Sequence, residues 1–148
     1  MPDVEALIVQ ASVVSIKGRA LAIEGPTGSG KSSLALALID RGAQLIGDDG
    51  VTLTRQGETI IASPPPNIAG LIEVHGVGLI EHPAHSHAPL ALILKLGASA
   101  ERMPESIHNR EILGLPIPCL PFEPGDIVPA LRAEIALKRY GLPRLDTQ

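Results

Sequence analysis

The chain has 148 residues, with 12 Lys and Arg against 16 Asp and Glu, for a formal net charge of −4 and a pI of about 5.7. That length suits one domain, 1–148, with a sizeable core, and the acidic balance argues against a general electrostatic grip on DNA or RNA. Phe122 and Tyr140 are its aromatic residues, so the core must be aliphatic, and the stacking platforms of single-stranded nucleic-acid binders are missing.

The opening Met1-Pro2-Asp3-Val4-Glu5 lacks the basic patch and apolar run of a secretory signal. Pro, Gly or charge interrupts every apolar run short of membrane-spanning length. A soluble, cytoplasmic protein with no membrane partner is expected. Ala6 to Ile16 is rich in Val and Ile with small residues between, which predicts one or two strands. Lys17-Gly18-Arg19 then turns the chain into a short buried strand, Ala20-Leu21-Ala22-Ile23. A hairpin at this point means a sheet that is not purely parallel.

Next comes Gly25-Pro26-Thr27-Gly28-Ser29-Gly30-Lys31-Ser32, followed by Ser33 and the apolar opening of a helix. This fits the phosphate-binding pattern G-x-x-x-x-G-K-[S/T] in its strand–loop–helix setting. Glycines let successive N–H groups turn inward around an anion, the helix N-terminus adds partial positive charge, and Lys31 adds a full one. An ordinary glycine-rich turn before a helix would require neither the lysine nor the flanking elements. A nucleotide or another polyphosphate is the expected ligand, held by Gly25 through Ser33. The helix should run to Asp40 or Arg41, with Gly42 at its C-terminal end.

Leu45-Ile46 predicts a brief strand ending in Gly47-Asp48-Asp49-Gly50. Ligands of open α/β sheets sit beyond the carboxyl ends of strands, where an acid can hold Mg²⁺ or accept a proton from an attacking hydroxyl. Adjacent residues point to opposite sides, so one of the pair can do chemistry while the other orients; the alternative is a solvated turn. Val51–Thr54 and Thr59–Ala62 read as a hairpin, and Ser63-Pro64-Pro65-Pro66 as a stiff connector. Leu71 to Glu81 alternates apolar residues with glycines, and Pro89 to Leu96 predicts a buried strand. His82, His85 and His87 fall in one short run; with no cysteine nearby and Glu81 as the single acid, a polar loop is preferred to a zinc site. Met103 to Pro124 reads as mostly loop. Within it Cys119, the single cysteine, excludes an internal disulfide and reads as a small apolar filler. Ile127 to Tyr140 predicts a helix with Ile127, Val128, Leu131, Ile135 and Leu137 at apolar spacing, closed by Gly141 and Pro143.

The succession of phosphate loop, helix, Arg41-Gly42 and Leu45-Ile46-Gly47-Asp48-Asp49 resembles the catalytic domain of bacterial HPr kinase/phosphorylase. Leu71-Ile72-Glu73-Val74-His75-Gly76-Val77-Gly78-Leu79-Ile80 is similar to that family's signature, apolar-Glu-apolar-Arg-Gly-apolar-Gly-apolar-apolar. Weaker similarity extends from about Gln10 to Tyr140, and the chain resembles the short forms that lack an additional N-terminal domain.

The resemblance implies an α/β fold, a P-loop domain of the phosphoenolpyruvate-carboxykinase-like type with a mixed sheet and few helices. It implies a serine kinase acting on an HPr-like phosphocarrier protein of the sugar phosphotransferase system, with ATP or pyrophosphate as donor and Mg²⁺ as cofactor. The reverse reaction would be attack of inorganic phosphate on the phosphoserine, releasing pyrophosphate. Carried over by position, Lys31 would neutralise the β- and γ-phosphates, and Ser32 and Glu73 would hold Mg²⁺. Asp49, supported by Asp48, would take the serine proton and return it in reverse, and Arg102 would stabilise charge on the transferring group. Without the resemblance, Arg102 and Glu73 would read as surface side chains. Family members are commonly hexamers and dock their substrate on the helix corresponding to Asp126–Tyr140.

Three positions depart from the family. Gln10 stands where a histidine is usual, His75 replaces the signature arginine, and Asp126 stands where a loop normally continues with arginine. Each change removes positive charge from a polyphosphate site. They leave open a nucleotide-binding regulator of the same fold with weak or no catalysis. A small-metabolite P-loop kinase or NTPase is a further alternative, although the absence of an Asn-Lys-x-Asp motif argues against GTP.

Overall fold

The structure is a computed structural model that describes residues 6–65, 70–82, 87–97 and 107–143; Pro66, His85 and Arg102 lie outside the described residues. The first three strands are β1 (Ala6–Val9), β2 (Ser12–Ile16) and β3 (Arg19–Glu24). β2 and β3 pair antiparallel around Lys17 (φ 51°) and Gly18 (φ 85°). Two successive left-handed residues are what a two-residue hairpin with right-handed twist demands. Helix α1 (Lys31–Asp40) follows the loop. It stops where Gly42 turns left-handed (φ 112°): the Gly42 and Ala43 N–H groups donate back to the Ile39 and Leu38 carbonyls at 2.9 and 3.0 Å.

Then come β4 (Gln44–Gly47), β5 (Val51–Gln56), β6 (Thr59–Ser63), β7 (Leu71–Val74), β8 (Gly78–Glu81) and β9 (Ala88–Lys95). The chain closes with β10 (His108–Ile112), β11 (Leu115–Pro121) and α2 (Pro129–Tyr140). Among the described residues, nine strands form one mixed sheet in the order β1-β5-β6-β9-β3-β2-β4, with β11 also on β9 and β10 on β11. β3 and β11 run parallel to β9, and every other pairing in the sheet is antiparallel. β7 and β8 form a separate hairpin. The sheet is mixed and the helices few, as expected.

Strand alternation divides the aliphatic side chains between two buried clusters. Leu21 and Ile23 of β3 face the helices, meeting Leu34 and Leu38 of α1 and Ala133 and Leu137 of α2. Ala20 and Ala22 face the other way, against Leu53, Ile60 and Ile117. Each fully buried Leu or Ile contributes about 1.5–3 kcal/mol. At the end of α1, Arg41 donates to both oxygens of Glu134 on α2 at 2.9 Å, and Arg132 of α2 donates to the carbonyls of Glu123 and Pro124. Among the described residues, no helix is long and apolar enough to cross a membrane.

Two expectations need correction. The 103–124 stretch is not mostly loop where it is described: β10 and β11 form a hairpin, and β11 adds to the central strand β9. Pro116 and Pro118, two apart, put their missing donors on the same edge of β11, which leaves Ile117 between them to bond through the other. The last helix starts at Pro129, whose fixed φ suits the first helical position, after Val128 at φ 34°. Its buried face is Ala130, Ala133, Ala136 and Leu137, whereas Ile127, Val128, Leu131 and Ile135 are exposed.

Cys119 is fully buried on β11, and burial pushes its thiol pKa up, against the smaller opposing effect of the Arg110 guanidinium. Its thiolate fraction at neutral pH is therefore below that of a free cysteine. A disulfide-exchange reagent at pH 7 should label the chain in denaturant and leave the native protein unlabelled. Rapid native labelling would show that β11 opens readily.

Candidate active site

β3 runs between β9 and β2 and delivers the chain at Glu24 to the glycine-rich loop. Gly25 has no room for a side chain: a Cβ there would sit 2.6 Å from Ser29 Oγ and 2.9 Å from the Leu96 carbonyl oxygen. The loop is turned by the Ser29 N–H, which donates to the Pro26 carbonyl at 3.0 Å. Gly28 (φ 84°) and Gly30 (φ 100°) adopt conformations that disfavour a Cβ, and space around both is open. α1 starts with no capping side chain and no acidic residue in its first turn. Its leading N–H groups are thereby left to an anion. Lys31 crosses the loop, donating to the Gly25 and Pro26 carbonyls at 2.9 and 3.2 Å.

β4 ends in a turn so tight that a Cβ on Gly47 would collide with the Gly50 carbonyl oxygen. This turn separates the two acids. Asp48 goes inward: its Oδ1 accepts the Ser12 hydroxyl at 2.6 Å and the Ser32 hydroxyl at 2.7 Å, and its Oδ2 accepts the Glu73 N–H at 2.9 Å. Three donors compensate a carboxylate that is only 9% exposed. Asp49 goes outward and exposed, in a left-handed conformation (φ 62°) that Asp tolerates better than most residues. The two acids diverge as expected, through a left-handed turn rather than a strand pleat.

A cavity of about 390 Å³ brings Thr27, Gly28, Gly30, Lys31, Ser32 and Ser33 together with Asp49, Glu73 and His75; Ser12 lies in its wall. Gly25 and Pro26 face an adjoining cleft with Gln10, Glu24 and Lys95, and Ser29 faces the 123–125 loop. Asp126 is exposed, and Arg102 is outside the described residues. The Ser32 hydroxyl and Glu73 carboxylate are hard oxygen donors. Among the described residues no group of three or more His, Cys, Asp or Glu side chains is placed to hold a metal. A cation here would complete its shell with phosphate oxygens and water, which is the habit of Mg²⁺; the donor set fits that ion.

Two features were not singled out from the sequence. Arg110 of β10 places one guanidinium nitrogen 2.6 Å from both carboxylate oxygens of Glu24, the last residue before the loop. That hydrogen bond raises the arginine pKa above its ordinary value, so the guanidinium stays charged. Ser12 is the other. Glu24 and Arg110 are 86 positions apart and Ser12 and Asp48 are 36 apart, so no local pattern joins them.

The family described as HPr Serine kinase C-terminal domain matches residues 4–138. An HPr kinase/phosphorylase of Clostridium acetobutylicum is 30% identical over 149 aligned positions, covering 90% of this chain and 49% of that protein. One of Chloroherpeton thalassium is 31% identical, covering 88% and 44%. The chain thus spans about half the length of the curated relatives it matches. Among solved structures, the Hpr(Ser) kinase/phosphatase from Coxiella burnetii is 30% identical with a TM-score of 0.75, covering 89% of each chain. On a family match over most of its length and a shared fold, this chain belongs to the HPr serine kinase C-terminal domain family.

Proposed function

We propose that the protein is an ATP- and Mg²⁺-dependent kinase that phosphorylates a serine of an HPr-like phosphocarrier. The observation that carries this is the single cavity shared by the loop amides, Lys31, Ser32, Glu73 and Asp49. Phosphoryl transfer through a loose transition state asks for in-line positioning and cations on the transferring group, with little covalent help. Lys31 and the α1 amides hold the phosphate chain, and Ser32 and Glu73 bind Mg²⁺, which supplies charge neutralisation at the phosphate oxygens. Asp49 accepts the serine proton as the serine oxygen bonds to the γ-phosphorus and the bond from phosphorus to the ADP oxygen breaks. Arg102 adds positive charge at the transferring group, and the donor is ATP or, as in the resembling family, pyrophosphate. The phosphocarrier docks near α2, and the protein works as a homo-oligomer.

The Gln10, His75 and Asp126 substitutions favour a second reading, a nucleotide-responsive regulator without turnover, and weigh most against phosphorolysis. Labelled ATP, Mg²⁺ and a purified HPr-like protein decide between them. Label on the phosphocarrier serine, lost in Lys31→Ala, is the expected result. ATP binding by calorimetry with no transfer would establish the regulator, and no heat from ATP, ADP or pyrophosphate would sink both readings.

A further inference from the structure

We infer that Ser12 is a positioning residue for metal binding: its hydroxyl fixes the orientation of Asp48, and through it the metal-facing side of Ser32. This deepens the reading of the cavity as a Mg²⁺–nucleotide site and rests on it. β2 lies between β3, which leads into the loop, and β4, which leads to the acids. Ser12, the first residue of β2, pairs with Ile23 of β3, and Val13 pairs with Gly47 of β4. It therefore stands where the two functional segments meet. Just behind it the β2–β4 register shifts between Val13 and Val14, and the Gly50 N–H donates to the Ala11 carbonyl at 3.1 Å. An irregularity of this kind re-aims side chains at the end of a strand.

Ser12 is fully buried, and its hydroxyl proton goes to Asp48 Oδ1, the same oxygen that takes the Ser32 proton. A serine hydroxyl has one proton and two lone pairs. With its proton committed to Asp48, the lone pairs of Ser32 remain for a cation. Asp48 can hold that arrangement only while its carboxylate is prevented from rotating. Oδ2 is fixed by the Glu73 main chain, and Oδ1 has Ser12 as its second anchor. Removing Ser12's oxygen leaves Oδ1 joined to Ser32 alone, so the metal ligand loses its fixed partner while the phosphate cradle is untouched.

The test is Mn²⁺ binding, read by electron paramagnetic resonance in the presence of ADP, alongside ADP binding in chelator. In Ser12→Ala, Mn²⁺ affinity should fall about tenfold, the lower end of what partners that orient a metal ligand command, with metal-free ADP binding unchanged. Ser12→Thr, which keeps the hydroxyl, should recover the affinity. In a Ser32→Ala background, Ser12→Ala should add no further loss, a comparison that does not depend on the threonine fitting. Wild-type Mn²⁺ affinity in Ser12→Ala, an equal loss of metal-free ADP, or an additive loss in the Ser32→Ala background would overturn the inference and leave the kinase reading standing. A wild-type protein that binds neither ADP nor Mn²⁺ would remove both.

Discussion

Asp49→Asn is expected to lower phosphoryl transfer to an HPr-like protein by about 10²–10⁴-fold while ATP binding persists. Asn is nearly isosteric and shares Asp's tolerance of the left-handed region, so the turn at φ 62° keeps its shape. What disappears is the exposed carboxylate in the cavity with Lys31, Ser32 and Glu73. Asp48 is not placed to substitute, because it is buried behind Ser12 and Ser32 and does not line the cavity. Transfer of label from ATP reads the catalytic loss, and calorimetry reads the retained binding. Undiminished transfer in the variant would place the proton acceptor elsewhere.

Gly47→Ala should have the largest structural effect. The added methyl meets the Gly50 carbonyl oxygen, a main-chain atom that moves only if the whole 47–50 turn moves, and Pro65 Cδ stands 3.2 Å away on another side. Overpacking of this kind costs about 3 kcal/mol. For a chain of this length that is a fall of about 6–12 °C in Tm. The displaced turn also carries Asp48 away from Ser12 and Ser32, so Mg²⁺-dependent nucleotide binding should weaken in parallel. A variant with unchanged Tm would mean that the turn relaxes without strain.

What was legible in the sequence was written locally. The glycine-rich loop, the Lys17-Gly18 hairpin, the Gly42 stop and the apolar run of β9 each carry their cause within a few residues, and the structure has all four. β10 and β11 were hidden because prolines at 116, 118 and 121 look like loop; only the pairing with β9 and β10 makes a strand of them. Apolar spacing points to the wrong face of α2 because alanines carry the packing, while the larger Ile127, Leu131 and Ile135 are exposed. At the candidate site, the loop and the acid pair could be read from residue type and position. Glu73 was found through family resemblance. Ser12 and the Arg110–Glu24 pair were not found, since they are brought together only by folding.

The grip of Arg41 on Glu134 has a mechanical consequence. α1 carries the phosphate-loop end of the molecule, and its far end is tethered to α2 by two parallel hydrogen bonds. The 123–125 segment, which lines a cavity together with Ser29 and Ser33, is strapped to α2 by Arg132. α2 thus holds the far end of α1 directly and carries the segment that faces its near end across that cavity. An anion that draws the cradle inward therefore pulls on a helix whose other end is anchored beside the exposed aliphatic ridge of Ile127, Val128 and Leu131.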